Sequence, residues 1–174
     1  MDISDSLKQF DPYRDKSDWV SEDPQAYASR MQSTLLPHWP TEVLIEWFHR
    51  HARDLYRYAS LGYERFRFER QTWPLDHIPG REAFDDPKFC DSFIDIERRA
   101  QNRHDWLAHY MLEQGTWNTP IILLNNSADE FAVGNRPLKA PFHLLEGHRR
   151  LSFLNGLRRS GKAKSEHDVW IVTL

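Results

Sequence analysis

Apolar positions recur along this chain with two different periods, and the change falls near Gly115. From Asp23 to Gly115 the helical spacing of i, i+3, i+4 and i+7 dominates. Asp23-Pro24 opens the first helix, with aspartate as N-cap and proline at the first helical position. That helix runs to about Leu36, where Pro37 and Pro40 interrupt it. Thr41 is positioned to cap a second, longer helix. Its Leu44, Trp47, Phe48, His51, Leu55 and Tyr58 or Ala59 form one stripe, and Gly62 marks its end. Phe66 and Phe68 then alternate with Arg65, Arg67 and Glu69, which is a strand period, before Pro74 and Pro79-Gly80 close the region as a loop. Asp85-Asp86-Pro87 starts another helix carrying Phe89, Phe93 and Ile96. A further helix spans about Asn102 to Gln114, with Trp106, Leu107, Tyr110 and Met111, and Gly115 stops it.

Beyond Gly115 the apolar residues come in short continuous runs. Pro120–Leu124 and Phe142–Leu145 read as buried strands, Gly147–Ser160 as a helix ending at Gly161, and Val169–Val172 as a final strand. Asn125–Ala140, with Asn-Asn-Ser, Gly134-Asn135 and two prolines, reads as a long loop, a place where function often resides. The pattern predicts an α+β protein. Residues 1–23 form an irregular arm, 24–115 a mainly helical region, and 116–174 a small α/β unit that joins 24–115 in one compact domain. No internal repeat or low-complexity tract is present.

Composition narrows the class. The 174 residues include seven Trp and ten Phe, enough for a substantial core, and an ordinary charged fraction of 28%. One cysteine, Cys90, leaves no internal disulfide and predicts a reducing, cytoplasmic setting. The N-terminus has no apolar signal core, and no run nears the ~18 apolar residues of a membrane span. Residues 116–174 carry eight Lys/Arg against five Asp/Glu, a net of +3, while residues 1–115 carry 15 against 21, a net of −6. So mild an asymmetry suits a local anion site better than a broad nucleic-acid surface.

The candidate chemistry sits where the Phe142–Leu145 run meets the following helix. Glu146-Gly147-His148-Arg149-Arg150 places cations at a helix start, the end whose partial positive charge favours anions. Unpaired backbone N–H groups with basic side chains beside them form a ready site for phosphate or carboxylate. Gly147 admits close approach of a ligand to the backbone. Arg149 or Arg150 can bind two oxygens at once, and His148 can donate a hydrogen bond or act as acid or base. Glu146 is a candidate general base. The same residues also permit an ordinary exposed helix start in which Glu146 pairs with Arg150 four residues on.

This strand–Glu146-Gly147-His148-Arg149-Arg150–helix arrangement resembles the ParB/sulfiredoxin-like superfamily, whose members lead a strand into a helix through a short Gly-, His- and Arg-containing signature. The resemblance covers roughly 118–174. The acidic-Gly-His-x-Arg form of the signature aligns Arg150 with the family arginine; alignment on His-Arg selects Arg149 instead. It implies a signature at a helix N-terminus that contacts nucleotide phosphates, with CTP in ParB-type members and ATP in sulfiredoxins, together with Mg. Sulfiredoxin chemistry requires a signature cysteine, and residues 141–157 contain none. ParB partition proteins carry a second arginine motif and a helix-turn-helix domain after this unit; the chain stops at Leu174, so sequence-specific DNA binding is not expected. Some relatives with the acidic-Gly-His form are linked to nuclease or nucleotide-cleaving activity.

Other features have simpler readings. His49 and His51 are two apart and His104 and His109 five apart, so neither pair shares a helix face, and no metal site is expected. His143 and His167 flank strands near the signature and could line its pocket. The aromatic stripe from Leu44 to Tyr58 reads as core, with a protein-partner surface as the other reading. Arg65, Arg67 and Arg70, interleaved with aromatics but also with Glu64 and Glu69, read as a solvated amphipathic strand. Two functions stand: binding, with or without hydrolysis, of a nucleotide or other phosphate-bearing ligand; or a non-enzymatic interaction protein such as an immunity protein, antitoxin or accessory subunit.

Overall fold

The computed structural model of the chain describes residues 7–52 and 55–174, except for the side chain of Leu55. It is an α+β protein with a four-stranded mixed sheet and seven short α-helices among the described residues. The helices are α1 (Pro24–Thr34), α2 (Thr41–Val43), α3 (Leu55–Tyr58), α4 (Pro87–Phe93), α5 (Ile96–Ala100), α6 (Trp106–Gln114) and α7 (His148–Arg159). The strands are β1 (Arg67–Pro74), β2 (Ile121–Asn125), β3 (Ala132–Val133), β4 (Arg136–Pro137), β5 (Phe142–Glu146) and β6 (Glu166–Thr173). The chain divides into two compact units: one contains 1–68, 132–136 and 173–174, the other 69–131 and 137–172.

The first unit is held by aromatic rings. Trp39 packs against Trp47, Phe48, Tyr63, Phe66 and Phe68 at centroid separations of 4.6–6.0 Å, and its indole N–H donates to the Tyr63 carbonyl at 3.1 Å. The Asp23 cap forms as its sequence predicts, its carboxylate accepting the N–H groups of Gln25 and Ala26. Thr41 does not cap: Pro40 occupies the cap position and Thr41 is the first helical residue. The long helix expected from Thr41 to its stop at Gly62 is also interrupted. After α2 the chain widens into a π-helical segment, Leu44–His49, and helical assignment lapses at His51. Wider turns reduce the angle between successive side chains, which lets the adjacent rings of Trp47 and Phe48 both face the core beside Leu44. Arg53 and Asp54, within the expected helix, lie outside the described residues, as does residues 1–6 of the expected arm. The described arm is tied by a bridge between Arg14 and Val20.

In the second unit the sheet order is β1-β6-β2-β5. β2 runs antiparallel to β5, with Ile122 opposite Glu146, and parallel to β6, with Ile121 opposite Val169. The register shifts between Ile122 and Leu123, which leaves Leu145 of β5 as the extra residue of a bulge. One face of the sheet packs Leu123, Leu144, Val169 and Ile171 against Leu151, Leu154 and Leu157 of α7 and Met111 of α6. Asp86 and Gly115 behave as cap and stop, Asp86 accepting the Lys88 N–H and Gly115 adopting the left-handed conformation. Three boundaries differ from the sequence expectation. β1 begins at Arg67, because Tyr63–Arg65 form a 3-10 turn, and it ends at Pro74. Ile96 starts its own helix behind Asp95. The helix expected from Asn102 starts at Trp106, because Asp105 is the residue whose carboxylate caps it. The long 125–140 loop contains the small β3–β4 sheet and is organised by buried Asn126, which accepts the N–H groups of Glu130 and Phe131 and donates to the Leu138 carbonyl.

Candidate functional site

The strand-to-helix turn predicted at Glu146–Arg150 forms, with β5 ending at Glu146 and α7 beginning at His148. Gly147 is required there twice over. Its φ is +101°, a conformation costly for residues with a Cβ, and a Cβ would lie 2.6 Å from Cγ2 of Ile121. β2 and the turn therefore meet at a contact only glycine allows. The Gly147 carbonyl accepts the Leu151 N–H at 2.9 Å, and no side chain caps the helix.

The three side chains after Gly147 diverge. Arg150 turns inward: its Nη2 lies 3.0 Å from Oε1 of Glu146 and its Nη1 donates to the Thr119 carbonyl at 3.1 Å. The two charged side chains are 8% and 12% exposed, so the pair locks the turn to the segment that enters β2. Arg149 reaches Asp105 instead, one Nη2 lying 2.7 Å from each carboxylate oxygen. The same Asp105 caps α6 through the Ala108 N–H, so Arg149 joins the starts of α6 and α7. Its guanidinium lies over the rings of Phe93 and Phe153, 5.4 Å from each, and its side chain stays 43% exposed. Nη1 and buried Nε have no hydrogen-bond partner among the described residues. His148 is half-buried, its ring edge-on to Phe84 at 5.9 Å and Phe89 at 5.6 Å.

The fold thus brings Glu146, Gly147, His148, Arg149 and Arg150 onto one turn and assigns them different surroundings. Each arginine already faces a carboxylate. An incoming anion would meet the uncapped helix start, the His148 ring and the outer edge of the Arg149 guanidinium. Asp105, Thr119, Ile121, Phe84 and Phe89 complete the surroundings and were not foreseen as part of the site. Asp105 carried a helix-cap signal, but nothing in sequence tied it to Arg149, 44 residues away. His143 is fully buried, its Nδ1 accepting the Lys139 N–H at 3.2 Å and standing 3.8 Å from Asp85. His167 is buried at the start of β6. Among the described residues, no group of three or more His, Cys, Asp or Glu is placed to hold a metal ion, and no helix is long and apolar enough to cross a membrane. Comparison with protein-family models, with curated proteins and with solved structures finds no match to this chain.

Proposed function

We infer that this protein binds a nucleotide or another phosphate-bearing ligand at the Glu146–Arg150 turn. The observation that carries this reading is a twelve-residue helix with no side-chain cap, starting on a left-handed glycine beside a half-exposed guanidinium. Backbone N–H groups and the helix dipole favour an anion at such a start. Glu146 and Arg150 give the turn its shape, Gly147 lets the turn pack directly on Ile121, and His148 and Arg149 supply the side-chain donors. Should the bound ligand be hydrolysed, His148 is the group suited to proton transfer, since Glu146 is engaged by Arg150. CTP and ATP with Mg are the ligands to test first, and the buried, unpaired Cys90 suits a cytoplasmic protein.

The test is thermal unfolding with CTP, ATP, GTP and pyrophosphate, each with and without Mg, coupled to amide chemical shifts of Gly147–Leu151. A ligand at 100 times its Kd adds about 2.7 kcal/mol of stability. His148→Ala and Arg149→Gln should abolish that gain while leaving the fold intact. Unchanged unfolding and unchanged amides with every ligand would overturn the reading.

The second reading, a non-enzymatic interaction protein, draws on aromatic rings left exposed on the first unit. Trp19 is 74% exposed and Tyr13 61%. Trp47, Phe48 and Tyr58, the rings of the expected partner helix, are buried in the core and unavailable for contacts. Co-purification of a partner that is lost on Trp19→Ala would favour this reading over the phosphate site.

A further inference from the structure

The parallel pairing of β6 with β2 brings Glu166-His167-Asp168 beside the segment that leads into β2. There Thr116 Oγ1 lies 2.7 Å from His167 Nδ1, and His167 Nε2 lies 3.0 Å from the Lys164 carbonyl oxygen. A carbonyl only accepts, so Nε2 carries the proton. In the neutral ring Nδ1 is then bare, and the Thr116 hydroxyl donates to it. Burial pushes the His167 imidazole below its ordinary value, which keeps the ring neutral. A hydroxyl, a neutral base and a group that orients the base are therefore in line, the arrangement that activates a weak nucleophile.

These groups border a cavity of about 180 Å3 that Trp117, Asn118, Lys164 and Arg70 also line. His167 is 2% exposed while Thr116 is half-buried, so the base is the more deeply placed of the two residues at the cavity. Trp117 packs 5.1 Å from the His167 ring and donates its indole N–H to the Asp168 carbonyl, which fixes one wall. The Asp168 carboxylate is held by Arg70 and Thr72, each at 2.7 Å, and so leaves the imidazole alone. The Lys164 ammonium and the Asn118 carboxamide have no hydrogen-bond partner among the described residues, leaving two donors at the cavity.

We propose that Thr116 and His167 form a nucleophile–base pair, oriented by the Lys164 carbonyl, that accepts the acyl group of a small carboxylic ester and passes it to water. The Thr116 oxygen attacks the ester carbonyl carbon while its proton moves to His167 Nδ1. The negative oxygen of the adduct is met by Lys164 or Asn118. The adduct breaks its bond to the leaving alcohol, which departs with the proton from Nδ1. Water then attacks the acyl-threonine, giving its proton to Nδ1, and the carboxylic acid is released as Thr116 recovers that proton. No metal, oxidant or reductant enters, and the proposal is independent of the phosphate-site reading.

The experiment uses the full chain with p-nitrophenyl acetate, following nitrophenolate release and mapping acetyl groups after an acid quench. Acetyl should appear on Thr116. Release should fall on the order of 10²-fold in Thr116→Val and in His167→Gln, and Thr116→Ser should retain activity. The rate should rise with pH through a midpoint below 6.5 and then level. A purely structural Thr116–His167 bond predicts none of these. Acetyl confined to lysines, or a folded Thr116→Val protein that matches the wild type, would overturn the proposal. Should Thr116→Val fail to fold, the mapped acetyl position in the wild type and in Thr116→Ser decides.

Discussion

Arg150 and Arg149 are neighbours in sequence and opposites in environment, and their substitution should show it. Arg150 is buried against Glu146 and the Thr119 carbonyl, so removing it takes the guanidinium away from a buried carboxylate and a carbonyl. Arg150→Ala should therefore lower the unfolding free energy in urea by about 3 to 5 kcal/mol. Replacing Glu146 and Arg150 together by leucine and methionine should cost much less, because no buried charge is then left alone. Arg149 is itself half-exposed but its partner Asp105 is only 11% exposed, so Arg149→Gln, which keeps a donor in reach, should cost about 1 to 3 kcal/mol, less than Arg150→Ala. Ligand binding can thus be tested at Arg149 and His148 without breaking the fold, which Arg150 does not permit. His167 sets a pH dependence. Its folded value is depressed by burial, so as pH falls below about 6.5 the unfolded chain takes up a proton first. The stability this group contributes is present above that pH and is lost progressively as pH falls toward the folded value. Urea midpoints measured from pH 7.5 to 5 should decline more steeply in the wild type than in His167→Gln.

At the scale of elements, α7 is the piece on which the second unit depends. Gly156 lies inside it, where alanine ordinarily gains about 1 kcal/mol. Here a Cβ would lie 2.1 Å from the backbone oxygen of Ile94, a contact that cannot relax by moving a side chain. Gly156→Ala should therefore lower the melting temperature despite the better helix former, and Gly147→Ala should do the same at the other end of the contact surface. Sequence made the ends of helices visible where one residue does the work locally. Asp23, Asp86 and Gly115 each signal through their own backbone neighbours, and so does Gly147 at the site. It was silent where the decision is tertiary. The spacing from Leu44 to Ala59 cannot reveal that two adjacent rings must share one core face. Gln71, Thr72 and Trp73 have no strong apolar alternation, and Arg70 and Thr72 of β1 find their partner in Asp168, far along the chain. The turn carrying the candidate site was legible for the first reason, and the ionic partners that redirect its arginines were hidden for the second.

Across the whole molecule, each unit has its own way of cohering. The second relies on aliphatic layers between sheet and helices, the first on rings grouped around Trp39. Trp39→Phe keeps most of that ring contact but removes the indole donor from the Tyr63 carbonyl, which retains the Phe66 N–H at 3.3 Å, and should cost about 1 kcal/mol. Near-UV circular dichroism and a urea melt would register it. The predicted α+β class holds at this scale, since mixed pairing of β2 with β5 and β6 follows from three short apolar runs and one intervening helix. The route of the chain was not legible, because 132–136 reads only as turn-rich loop. Those five residues belong with the first unit although the chain on both sides belongs with the second. This interleaving has a consequence for synthesis. As the polypeptide leaves the ribosome, residues 1–68 emerge first but lack 132–136 and 173–174 until nearly all of the second unit has been made. The unit that begins first is thus completed last, and a fragment cut at Phe68 would copy a half-finished intermediate rather than a domain.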